Sequence, residues 1–206
     1  MTETLQVSAD DVRLASRLSC EAMEAAAHLD WSVAAGSLDW DCRTTAAHIS
    51  DALAFYAGHL GTRATRWLKF DVVPHLDATN SHLARLIAAM GELLALIVEA
   101  APPDARAYHH SGMWDRDTLA AFGCMEALVH TGDICLGLEL PYDPPRDLCN
   151  RVVSRLFATA PEHEDAWSVL WWATGRGDLA GQQHLGSEWG AHWLRASEVG
   201  RQGIEP

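Results

Sequence analysis

The chain has 206 residues, 49% apolar and 21% charged, which is enough to bury one core without disulfide or metal staples. Its net charge is -13 and its 15 Lys and Arg are scattered, so a nucleic-acid backbone and an anionic membrane surface are both excluded as expected partners. The opening MTETLQVSADD has neither the basic start nor the apolar run of a signal peptide, and polar residues interrupt the apolar stretches short of a membrane span. One domain over 1–206 in the cytoplasm is therefore expected. The five cysteines, Cys20, Cys42, Cys124, Cys135 and Cys149, are odd in number and form no CxxC, so they read as reduced thiols serving as small apolar side chains.

The chain reads as helices from end to end. Ser8-Ala-Asp-Asp is an N-cap signal, and Val12, Leu14, Ala15 and Leu18 carry a first helix over about 8–28. Residues 29–41 read as a loop. A second helix starts near Thr44 or Thr45, with Ile49, Leu53, Tyr56 and Leu60 at three- and four-residue steps. After a connection containing Pro74, a third helix spans about 80–100. Its broad apolar face holds Leu83, Leu86, Ile87, Met90, Leu93, Leu94 and Ile97, and Pro102 and Pro103 end it.

Residues 101–116 make the long crossing connection, a polar loop with His109, His110 and Trp114. A fourth helix begins near Asp117 and runs to about Gly137. Shorter helices follow over about 146–159 and 164–174, and a last one over 187–199. No alternating strand pattern stands out. The expected fold is all-α, a four-helix bundle with additional C-terminal helices.

Chemistry concentrates at two places. Glu126-Ala-Leu-Val-His130 puts a carboxylate and an imidazole on one helical face, with Cβ atoms about 5–6 Å apart. Their neighbours Met125, Leu128, Val129 and Ile134 are apolar, and a carboxylate buried there must be paired or coordinated. His48 stands in the first turns of the second helix. His59 is on nearly the same angular position but about 16 Å further along, too far to share one ion with it.

The stretches Trp40-Asp-Cys-Arg-Thr-Thr-Ala-Ala-His48-Ile-Ser-Asp51 and Glu126-Ala-Leu-Val-His130-Thr-Gly-Asp133 resemble the two metal-site motifs of the DinB-like superfamily. Within it they are most similar to the N-terminal metal-binding domain of mycothiol-dependent maleylpyruvate isomerases. The resemblance covers about 8–178 and leaves 179–206 as a C-terminal extension. It implies His48, Glu126 and His130 as ligands to one divalent cation, zinc by default, and Asp133 as a partner of His130. Thr174-Gly-Arg176 resembles a Gly-Arg element near the end of that domain, which adds Arg176.

A low-molecular-weight thiol, mycothiol, is the implied co-substrate, a small electrophile the substrate, and a homodimer the assembly. The isomerase's further C-terminal domain has no counterpart among the roughly thirty residues past Gly177. The expected activity is thus thiol transfer or thiol-assisted isomerisation. Two alternatives stay open: a metal-dependent hydrolase with His110 or Asp133 as base, and a non-enzymatic stress-response or binding bundle.

Overall fold

The computed structural model describes residues 6–161 and 165–190. Six helices among these residues pack as a bundle: α1 (Ala9–Ala25), α2 (Cys42–Thr62), α3 (Asn80–Ala100), α4 (Arg116–Gly137), α5 (Arg146–Leu156) and α6 (Ala166–Ala173). The expected helix over 187–199 lies mostly outside the described residues, which end on a single 3-10 turn, Gly186–Glu188, and its first following residues.

Each long helix starts where a short polar side chain satisfies its first free N–H groups. Ser8 and Asp11 form a reciprocal capping box on α1. Asp41 accepts from the Thr44 N–H at 2.6 Å, so α2 begins two residues before the threonines expected to open it. Asp115, not Asp117, caps α4, accepting from the Thr118 N–H at 2.8 Å. Asp115 also holds Arg155 of α5, which ties that helix to the start of α4. A second buried-end pair, Arg151 to Asp11 at 2.6 Å, ties α5 to α1.

Around the bundle the order is α1, α3, α2, α4, so α1 and α2 face each other diagonally, as do α3 and α4. Two connections therefore cross the bundle, 26–41 as well as 101–115. The second is not a loop but a two-stranded hairpin, β1 (Arg106–His109) with β2 (Gly112–Asp115), in register Ala107 to Trp114 and Tyr108 to Met113. Four residues per strand are too few to print an alternating pattern in the sequence. The hairpin is pinned to the end of α2 by Tyr108 N–H donating to the Ala64 carbonyl at 2.8 Å.

The core is built from Val12 and Met23, Ile49, Leu53 and Leu60, Leu83, Ile87 and Leu94, and Leu119 and Leu128. Leu93, counted on the apolar face of the third helix, is 43% exposed instead. Contrary to the reading that no apolar stretch reaches span length, α4 is long and apolar enough by composition to cross a membrane. In this fold 83% of that window is buried inside the bundle, so its apolar surface belongs to the core. The cysteines are all free thiols, and burial pushes Cys42 and Cys135 up to about 11 and Cys149 up to about 12.

α1 packs closely on α3 at Gly91. A Cβ placed on Gly91 would meet Ser16 Oγ at 2.1 Å and Ser16 Cβ at 2.2 Å. Overpacking of that kind costs about 1–3 kcal/mol. Gly91→Ala is expected to lower the urea midpoint accordingly, and Ser16→Gly in the same chain to restore most of it. An unchanged midpoint in the single variant would mean that α1 and α3 do not meet this closely.

Candidate metal centre

α2 and α4 are neighbours in the ring, and each carries one part of a cluster. His48 comes from the second turn of α2, which the loop 29–41 fixes in place. There Arg43 N–H donates to the Trp31 carbonyl, Cys42 N–H to Val33 and Ala35 N–H to Trp40. Glu126 and His130 come from the middle of α4. The three ligating atoms lie within 4.8 Å of one another. His48 Nε2 is 3.4 Å and His130 Nε2 is 3.2 Å from the same Glu126 oxygen, Oε2. The two imidazole rings meet edge to face at 4.9 Å.

Behind the cluster sits a second layer. His130 Nδ1 is 3.0 Å from Asp133 Oδ2. A carboxylate accepts only, so Nδ1 carries the hydrogen and Nε2 is left to face the cluster. Arg176 donates to Asp133 from Nε at 3.0 and 2.9 Å and from Nη1 to the Thr174 carbonyl at 2.8 Å. Its guanidinium is thus turned inward and holds Asp133. Gly132 makes this face of α4 thin: a Cβ there would meet the Trp171 and Trp167 rings at 2.8 and 2.9 Å. On the other side, Tyr56 O–H donates to Glu126 Oε1 at 3.4 Å.

Exposure falls with depth, from 34% for the His48 side chain through 16% for Glu126 and 10% for His130 to 1% for Asp133. The cluster therefore opens on the His48 side. Trp40, whose ring centroid is 5.0 Å from that of His48, stands at the rim. The opening leads into a cavity of about 460 Å³ that Leu38, Val129, Arg176 and Trp189 also line.

Electrostatics match this layout. Burial disfavours the Glu126 carboxylate, but hydrogen bonds from His130 and His48 outweigh it and hold the group well below the usual carboxylate range. Burial likewise opposes the His130 imidazolium. Asp133 and Glu126 outweigh burial and raise His130 above its ordinary value, while Arg176 pulls it down. Burial, then Glu126, keep Tyr56 a neutral phenol.

The donor set suits a divalent cation: two imidazole nitrogens and one carboxylate oxygen from two rigid helices, with one imidazole steered by a carboxylate from behind. His48, Glu126 and His130 are able to hold such an ion, and several divalent metals accept this set.

Of the other residues singled out in the sequence, Asp133 and Arg176 are brought to the cluster and His110 is not. His110 is exposed at the hairpin turn, stacked on Phe55 at 5.5 Å and near Trp67. His59 is fully buried. Its Nδ1 pairs with the Phe55 carbonyl and its Nε2 accepts from Leu68 N–H, so it braces the end of α2. Asp51 accepts from Val72 N–H and serves the α2–α3 connection. Tyr56 and Trp189 are at the site without having been expected there. Tyr56 is eight residues after His48, hence on the same face of α2, and that spacing was the available signal.

Comparison of the chain with protein-family models, with curated proteins and with solved structures finds no match in any of the three.

Purified protein is expected to hold one equivalent of a divalent metal, and His48→Ala and His130→Ala each to lose it in elemental analysis. Full metal content in either variant would remove that residue from the ligand set. The pH dependence follows from His130. Its imidazolium is held between two carboxylates, and the Nε2 proton must leave before an ion enters. Affinity should therefore rise with pH, by about tenfold per unit for each proton displaced, and level off above the raised His130 pKa. Asp133→Asn should weaken binding roughly 10- to 100-fold and move that plateau to lower pH. Isothermal titration at several pH values reads both effects.

Proposed function

We propose that this protein is a metal-dependent enzyme of the DinB-like type that joins a low-molecular-weight thiol, mycothiol, to a small electrophile, as an S-transferase or a thiol-assisted isomerase. The observation that carries this reading is the convergence of His48 Nε2, Glu126 Oε2 and His130 Nε2 at the bottom of an open cavity. Three ligands leave a position for a reactant, which is the mark of a catalytic rather than a structural site. A divalent cation held there supplies a nucleophile at neutral pH by lowering the pKa of the thiol or water that it receives.

The chain's own residues do the rest. Asp133, fixed by Arg176, keeps Nδ1–H of His130 occupied and its Nε2 aimed at the cluster. Tyr56 O–H occupies the second oxygen of Glu126, which leaves Oε2 toward the two histidines. Leu38, Val129 and Trp40 give the cavity an apolar rim that limits water around the reacting atoms.

The protein brings no thiolate of its own. All five cysteine pKa values are raised, chiefly by burial, and none of these residues lines the cavity. A sulfur nucleophile acting at this site would come from a co-substrate. In the transfer reaction the thiol's S–H bond breaks and its proton passes to solvent, the sulfur bonds to the electrophilic carbon, and the leaving group departs with the electron pair of its broken bond to that carbon. In the isomerisation the same carbon–sulfur bond forms and later breaks.

The hydrolase alternative named His110 or Asp133 as its base. Both oxygens of Asp133 are taken by Arg176, one of them also by His130, and His110 does not line the cavity. That leaves water activation without the bases considered for it.

The test uses metal-loaded protein, mycothiol and monochlorobimane as electrophile. Calorimetric binding of mycothiol and metal-dependent formation of the fluorescent conjugate are expected, with the rate lost in His130→Ala. A metal-loaded protein that neither binds mycothiol nor speeds the reaction would overturn the thiol reading. Failure to take up any divalent metal would overturn the enzyme reading altogether.

A further inference from the structure

A second cavity, of about 300 Å³, lies between the hairpin, the start of α4 and the end of α5. That volume is at the small end of the range for ligand pockets, roughly 300–1,000 Å³. Its walls are Trp114, Phe122, Leu156 and Phe157. Trp189 closes it, and the same Trp189 borders the cavity of the metal cluster.

The two cavities also share a floor. Thr118, Phe122, Glu126 and His130 recur every four residues along α4 and so lie on one face. The first two line the second cavity and the last two belong to the cluster. Phe122 and Glu126 are about 6 Å apart along the helix axis, the length of one aromatic ring.

Of the polar groups that line this second cavity, Arg155, Thr118 and His109 are already matched, and His110, which also lines it, meets the Tyr108 hydroxyl through Nδ1 at 3.4 Å. Arg155 meets both oxygens of Asp115 at 2.6 Å and the Thr118 hydroxyl at 2.9 Å, so its charge is compensated. His109 Nδ1 accepts from Ser111 N–H at 3.2 Å and lies 2.7 Å from the Ser111 hydroxyl, which leaves the hydrogen on Nε2 of a neutral ring. Burial, then the neighbouring His110, lower the pKa of His109 to about 4, which keeps it neutral at physiological pH. That ring stacks on Phe122 at 4.3 Å. A carboxylate would lose part of its hydration and find the Arg155 charge already taken, whereas a flat uncharged ring would meet aromatic faces.

We infer that this cavity is the substrate subsite, taking the uncharged aromatic or compact apolar body of a small molecule whose reacting end extends past Phe122 to the His48–Glu126–His130 cluster. The reacting end rests on the function proposed above, and the binding of the apolar body does not. The electrophile class this selects is a one- or two-ring neutral molecule rather than a carboxylated one.

The experiment is equilibrium dialysis of the full chain, with and without metal, against 2-naphthalenemethanol and against 2-naphthoate, which has the same ring and a carboxylate. The neutral probe should bind at one site, with or without metal, and at least about tenfold more tightly than the carboxylate. Leu156→Trp, which fills the cavity, should weaken the neutral probe about tenfold or more while metal content stays at the parent value. Leu156→Ala, which cannot overpack, should keep the probe and also admit a three-ring analogue that the parent excludes; this second variant decides the matter if the tryptophan variant melts early. Absence of neutral-probe binding, equal binding of the carboxylate, or binding indifferent to both Leu156 variants would each overturn the subsite. Probe binding in a protein that takes up no metal would instead overturn the enzyme reading and leave the subsite standing.

Discussion

A carboxylate in the middle of the core helix is the constraint around which this half of the molecule is organised. α4 is buried on nearly every side, and Glu126 sits where an unpaired charge would cost several kcal/mol. Everything near it answers that cost. His130 lies one turn on along the same helix, His48 reaches across from α2, and Tyr56 donates to the remaining oxygen. His130 needs an acceptor in turn, which Asp133 provides, and Asp133 is offset by Arg176 from beyond α6. Each buried charge is thus compensated by the next through alternating partners. The same alternation makes the cluster a fit host for a cation, because each nitrogen and oxygen that faces inward has its other end already held.

The bundle was legible in the sequence because its helices carry their own local signals. Ile49, Leu53, Tyr56 and Leu60 mark the buried face of α2 by spacing alone, and all four are buried. Ser8 announces α1 through its capping box. Errors cluster where tertiary contacts decide. Leu93 is apolar but 43% exposed, so its spacing promised more burial than the fold gives. The hairpin at 106–115 has no pattern of its own, and it exists because the end of α2 and the start of α4 give it something to pair with and pack on.

The site divides along the same line. Glu126 and His130 are readable as an i, i+4 pair, since one helix turn sets their distance before any packing is known. That His48 would be their third member, and that Arg176 would stand behind Asp133, is a statement about α2, α4 and the chain after α6 meeting in space. No local spacing contains it, and the motif resemblance alone joined His48 to the pair and brought Arg176 forward. His110 was attractive as a polar residue on a loop near the site. The hairpin turn points it at Phe55 and Trp67 instead, and its neighbour His109 is the one that stacks on the α4 face.

Arg176 has a consequence for the molecule as a whole. It follows α6 in the chain, yet it holds Asp133, forty-three positions earlier, and through it the His130 ring. Trp189, further along the same terminal stretch, walls both cavities. The placement of residues 174–190 and the setting of His130 are therefore coupled through Asp133. By the reciprocity of linkage, whatever occupies the cluster fastens that terminal stretch to the bundle, and whatever loosens the stretch slackens the grip on the occupant.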